Sequence, residues 1–129
     1  MTQVNRPEPY PNPRVADQGF SHPSEAEFAR ILDFYQVKWE YEPMTFPLMW
    51  DEAGNITEAF TPDFYLPDAD LYVELTTLQQ RLVTRKNRKL RRMRSIYPDI
   101  KVKLFYRRDV RSLMLKYGIT PSYSIQSLP

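Results

Sequence analysis

The sequence predicts an α/β domain whose elements run α-β-β-β-α-β-α. Three observations carry this. A helical apolar period occurs twice, near residues 24–35 and again over 79–97. Between these stretches lie three runs rich in aromatic and β-branched residues, separated by turn sequences. A fourth alternating run follows the second helical stretch. At 129 residues and 42% hydrophobic content the chain can bury one modest core. The expected organisation is a proline-rich extended tail over 1–20, one domain over 21–118 and a C-terminal tail over 119–129.

The elements follow in order. Pro7, Pro9, Pro11 and Pro13 exclude helix and discourage a central strand, which gives the extended N-terminal tail. In SEAEFARILDFY, Phe28, Ile31, Leu32 and Tyr35 recur at i, i+3, i+4 and i+7, with Ser24 as the expected N-cap and Glu27 three residues on. VKWEYEPMTFPLMW reads as an extended, bent strand whose pairing Pro43 and Pro47 limit. DEAGN is a turn, ITEAFTPDFYL the next strand, PDAD a tight turn and LYVELT the third strand of an antiparallel meander. A long helix over 79–97 stops before Pro98. IKVKLFYR is the fourth strand. DVRSLMLKYG is a closing helix, with Asp109 as N-cap and Gly118 past its end.

Composition removes several chemistries. There is no cysteine, so disulfides, thiol catalysis and cysteine zinc sites are excluded. His22 is the only histidine, which excludes a Ser-His-Asp triad and a paired-histidine metal site. Three glycines, Gly19, Gly54 and Gly118, cannot build a glycine-rich phosphate loop. A metal here would be held by carboxylates, which favours Mg²⁺ or Mn²⁺. No run of 18 apolar residues and no apolar leader occur, so no membrane partner and a cytoplasmic location are expected.

Charge is divided along the chain. Residues 1–74 hold 4 Lys/Arg and 14 Asp/Glu, a net of −10, and residues 75–129 hold 14 and 2, a net of +12. Between Arg81 and Arg94, eight of fourteen residues are basic and none is acidic. Such a block repels itself unless an anion lies against it, which points to a nucleic acid.

The acidic side chains carry the chemistry. Strand alternation puts Tyr72, Glu74 and Thr76 on one face and Leu71, Val73 and Leu75 on the other. Thr61, Asp63 and Tyr65 share a face of the preceding strand. A short turn around Pro67–Asp70 sets Asp63 across from Glu74. Two carboxylates so placed repel unless protonated or bridged, and a divalent cation bridges them.

With TPDFYLP and YVELT in this element order, the chain resembles the PD-(D/E)xK nuclease superfamily, which includes restriction endonucleases and Holliday-junction resolvases. The resemblance spans residues 24–108. It implies a restriction-endonuclease-like αβββαβ core, a mixed central sheet flanked by helices. It also implies that Asp63 and Glu74 hold Mg²⁺ (or Mn²⁺), joined by a glutamate of the first helix, for metal-dependent hydrolysis of a phosphodiester. Glu27 matches that glutamate best, with Glu25 as the alternative. The family's lysine position holds Thr76, so another lysine must supply the charge. On a helical wheel Leu82, Val83, Leu90, Met93 and Tyr97 form one stripe, and Lys86 is the only charge on it. Lys86 is therefore the first candidate, ahead of Lys89 and Lys103, and Gln79 also falls near the site. Arg85, Arg88, Lys89, Arg91 and Arg92 would meet phosphates. The expected activity is that of an endonuclease on DNA rather than RNA, acting as a homodimer. The alternative is an inactive nuclease-like fold that binds nucleic acid or protein.

Overall fold

The computed structural model describes residues 7–13, 19–76 and 80–106, with the backbone alone at 80–83. The expected closing helix at 109–118, the C-terminal tail, Gln79 and the side chains of Leu82 and Val83 lie outside that description.

Within it the chain is a mixed α/β structure of two sheets and two helices. Strand β1 is Tyr10–Pro11, helix α1 is Pro23–Phe34, β2 is Glu40–Tyr41 and β3 is Met44–Trp50. Then come β4 at Ile56–Phe60, β5 at Phe64–Leu66, β6 at Leu71–Leu75, α2 at Gln80–Ile96 and β7 at Val102–Phe105. One sheet has the order β1-β3-β4 and the other β2-β5-β6-β7. In the larger sheet β2, β5 and β6 are antiparallel, and β7 lies parallel to β6 with α2 as the crossover.

The tail is more ordered than its prolines suggest. Tyr10 and Pro11 pair with Thr45 and Met44 as an edge strand, where a proline without an N–H is tolerated. Helix α1 also starts earlier than expected. His22 is the N-cap, its Nδ1 accepting the Ser24 N–H at 3.1 Å, and Pro23 occupies the first turn. Ser24 is thereby inside the helix, where it cannot serve as the cap of a box with Glu27.

The expected meander divides between the two sheets, because both of its long strands bend. β2 and β3 are separated at Glu42 and Pro43, and β4 and β5 at Thr61 and Pro62. Proline cannot donate to a ladder, so pairing breaks at both corners. Glu42 adopts φ 45°, the left-handed region that a non-glycine residue enters at a cost. The corner is restitched by Glu42 N–H donating to the Asp63 carbonyl at 2.8 Å and by the Thr45 and Thr61 hydroxyls at 2.8 Å. Beyond it, Asp51 Oδ1 accepts the Ala53 and Asn55 N–H groups to close the β3–β4 turn, with Gly54 at φ 87°.

Both faces of the larger sheet are covered. Phe28, Ile31 and Leu32 of α1, with Tyr35 at its C-cap, pack on Phe64, Leu66, Leu71, Val73, Leu75 and Phe105. On the opposite face Leu90 and Met93 of α2, with Tyr97, meet Phe46, Leu48 and Phe60 from the small sheet and Val102 from β7. Tyr72 packs on this second side, so strand alternation puts Glu74 on the α2 face as well. The aromatics of the strands are core and near-core packing: Phe46, Phe60, Phe64 and Phe105 are buried, while Trp39 and Tyr41 lie against the α1 cluster.

Candidate active site

Asp63 follows a proline because Pro62 ends one ladder and lets the chain turn into β5. The β5–β6 register pairs Phe64 with Val73, so the next pair outward is Asp63 with Glu74. Both are buried, at 7% and 8% exposure. Asp63 N–H donates to Glu74 Oε1 at 3.2 Å, and Leu75 N–H donates to Asp63 Oδ2 at 2.8 Å. The two carboxyl groups also share a side-chain hydrogen bond.

Such a pair cannot keep two full charges out of water. Burial first, then the Glu74 carboxylate, pushes Asp63 up to about 8, against the Leu75 N–H and the Lys86 charge, which pull it down; the Glu25 charge adds to the rise. Burial also raises Glu74, with Lys86 as the largest opposing influence. Near neutrality the pair therefore holds one proton between two carboxyl groups.

Lys86 comes from α2 to the same place. Its Nζ lies 3.3 Å from Glu74 Oε2 and donates to the Leu75 carbonyl. A cation thus already sits where a carboxylate and a main-chain oxygen converge. Such oxygens are the donors a hard divalent cation accepts, and Mg²⁺ in particular needs only one or two protein carboxylates beside water and substrate oxygens. Asp63, Glu74 and the Leu75 carbonyl fit that requirement. Among the described residues no three His, Asp or Glu side chains gather as a metal cluster, so a cation held here would take a main-chain oxygen beside the two carboxylates.

The other predicted residues distribute as follows. Glu25, not Glu27, is the helix glutamate whose charge acts on Asp63. It is buried in the first turn of α1, with the Tyr41 hydroxyl and the Ser21 N–H on its Oε1. Glu27 instead lines a cleft of about 40 Å³ with Ser24, Phe28, Ile31, Leu75 and Thr76. Thr76 follows the end of β6, its N–H on the Phe105 carbonyl at 3.0 Å, and borders this α1-side cleft. Lys103 lies on β7 opposite Val73.

Along α2, Thr84, Arg85, Arg88 and Arg91 line an open groove of about 470 Å³. Arg88 pairs with Glu58 at 3.2 Å on the surface. Arg92 is exposed, yet its Nε donates to the Leu48 carbonyl at 3.0 Å and so ties α2 to β3. Lys89 is half-buried. Sequence reasoning missed two participants, Tyr41 and the Leu75 carbonyl. Neither announces itself locally: one is an aromatic in a core-like strand and the other is main chain.

No family model, curated protein or solved structure matches the chain. No helix among the described residues is long and apolar enough to cross a membrane.

Proposed function

We propose that this chain is a Mg²⁺- or Mn²⁺-dependent nuclease of the PD-(D/E)xK type, acting on DNA in preference to RNA. One observation carries the reading. Two buried carboxyl groups, Asp63 and Glu74, lie against each other across neighbouring segments, and an ammonium group bridges one of them to a main-chain oxygen. Structural ion pairs are normally solvated or fully matched, whereas this cluster is buried and short of positive charge. The helix on either side of a mixed sheet, with the carboxylates on the strand pair that precedes the crossover helix, supports the same assignment.

Asp63, Glu74 and the Leu75 carbonyl would hold the cation. When bound, it polarises a phosphoryl oxygen and activates water. To hold it, Asp63 would give up its proton to solvent, and Glu74 and the Leu75 carbonyl would release the Lys86 ammonium group. Lys86, kept close by α2, then offsets negative charge that develops on the phosphate. Arg85, Arg88 and Arg91 hold neighbouring phosphates without reading bases. Cutting both strands of a duplex calls for two such sites, hence a homodimer.

Thr76 favours a second reading, a nuclease-like fold without activity that binds nucleic acid. Incubation with branched, duplex and single-stranded DNA and with RNA, in Mn²⁺ and in EDTA, separates them. Metal-dependent cutting that vanishes in Asp63→Asn and Glu74→Gln is the expected result. Binding without cutting, indifferent to both substitutions, establishes the second reading instead.

A further inference from the structure

Glu25 is acidic, buried and at the start of a helix, and the helix dipole alone favours a carboxylate there. It has more specific partners. The Tyr41 hydroxyl donates to Glu25 Oε1, and the Ser21 N–H reaches the same oxygen at 3.1 Å. The Ser21 N–H is also 3.1 Å from the Tyr41 hydroxyl oxygen, and that hydroxyl is 3.3 Å from Ser21 Oγ. Phe20 stands edge-on to the Tyr41 ring at 4.7 Å, and Phe64 lies 5.4 Å away, so the ring is held from two sides.

The main chain of Tyr41 is fastened to the other half of the site. Tyr41 pairs with Phe64, the residue after Asp63, and the next N–H, from Glu42, donates to the Asp63 carbonyl. One residue therefore spans from the strand that carries Asp63 to the helix that carries Glu25. We infer that Tyr41 is a positioning residue of the carboxylate site, which sets Glu25 at a fixed distance from Asp63 and so raises the affinity of the site for a divalent cation.

Burial and the Glu25 carboxylate push the Tyr41 hydroxyl up to about 12, so it stays protonated and remains a donor throughout the neutral range. Glu25 contributes its negative charge without joining a three-carboxylate cluster. The inference rests on the proposed cation-binding function. Groups that orient metal-site residues typically matter by about 10–100-fold in metal affinity, and Tyr41, acting through Glu25, belongs at the lower end.

The test is Mn²⁺ binding alone, without nucleic acid, followed by electron paramagnetic resonance on the full chain near pH 7.5. Wild type is compared with Tyr41→Phe, Glu25→Gln, the double variant and Glu27→Gln, with melting curves in EDTA for each. Tyr41→Phe and Glu25→Gln are each expected to weaken binding by about 10-fold. The double variant should be no weaker than Glu25→Gln, because Tyr41 acts through that carboxylate. Glu27→Gln should bind like wild type. Wild-type affinity in Tyr41→Phe, or losses that multiply in the double variant, overturns the inference. If Tyr41→Phe melts below the assay temperature, Glu25→Gln decides, and its equality with Glu27→Gln is an overturning result. A wild-type chain that takes up no Mn²⁺ refutes the cation site itself and the inference with it. Wild-type uptake with an unaffected Tyr41→Phe refutes only the role of Tyr41.

Discussion

Asp63→Asn should stabilise this protein, and only at high pH. The folded chain keeps a proton on Asp63 up to about pH 8, whereas the unfolded chain releases it near 3.8. A raised carboxyl pKa means that the native state binds more protons across this window, so stability falls as pH rises through it. The penalty is absent below the unfolded value and complete above the folded one. The ceiling, at 1.36 kcal/mol per pH unit, is about 6 kcal/mol. The Lys86 charge is already contained in that shift; relaxation of the site and water drawn in on ionisation offset much of the rest, which leaves about 2 kcal/mol. Asparagine is isosteric, its oxygen still accepts the Leu75 N–H, and its amide can donate to Glu74 as protonated Asp63 does. Urea melts from pH 4 to pH 9, in EDTA, read the effect. The variant should match wild type at pH 4 and exceed it by about 2 kcal/mol at pH 9, or about 6–10 °C in Tm. An equal advantage at both ends, or a loss at pH 9, would refute the shared-proton account.

Three further outcomes follow from the same geometry. Lys86→Met leaves Glu74 without its ammonium partner, which should cost about 1–2 kcal/mol at pH 8; Mn²⁺ should bind more tightly, because nothing competes for Glu74 and Leu75, while cutting falls by about 100-fold or more. Replacing Arg85, Arg88 or Arg91 by alanine should weaken DNA binding uniformly across sequences, and each should reduce the slope of log K against log salt by about 1 in a titration followed by fluorescence anisotropy. Met93→Ala empties a fully buried site between α2 and the small sheet, and denaturant melts should show a loss of about 2–5 kcal/mol with little effect on Mn²⁺ uptake by the folded fraction.

Much of the site's placement could be read from local pattern. Alternation and one short turn are enough to set Asp63 against Glu74, because a strand has a period of two and the turn leaves little choice of register. The helical wheel singles out Lys86 because a charge on an apolar stripe must find a partner. The choice between Glu25 and Glu27 was not legible. They flank the same stripe, and Ser24 read as the cap, whereas His22 with Pro23 starts the helix sooner. Thr76 was assigned a face by extending a strand that ends one residue before it.

The sequence alone determined the types of the two described helices and of the strands from β2 to β7, the acidic and basic halves, and the absence of thiol chemistry and of a histidine pair, since periodicity and composition are local properties. Tertiary structure decided that the long hairpin bends at Pro43 and Pro62 into two sheets, that Glu25 is buried and held by the Tyr41 hydroxyl, and that Tyr41 pairs with the residue after Asp63. Those outcomes depend on where separated segments meet. Packing on both faces of the central sheet sets that meeting, and no window of neighbouring residues encodes it.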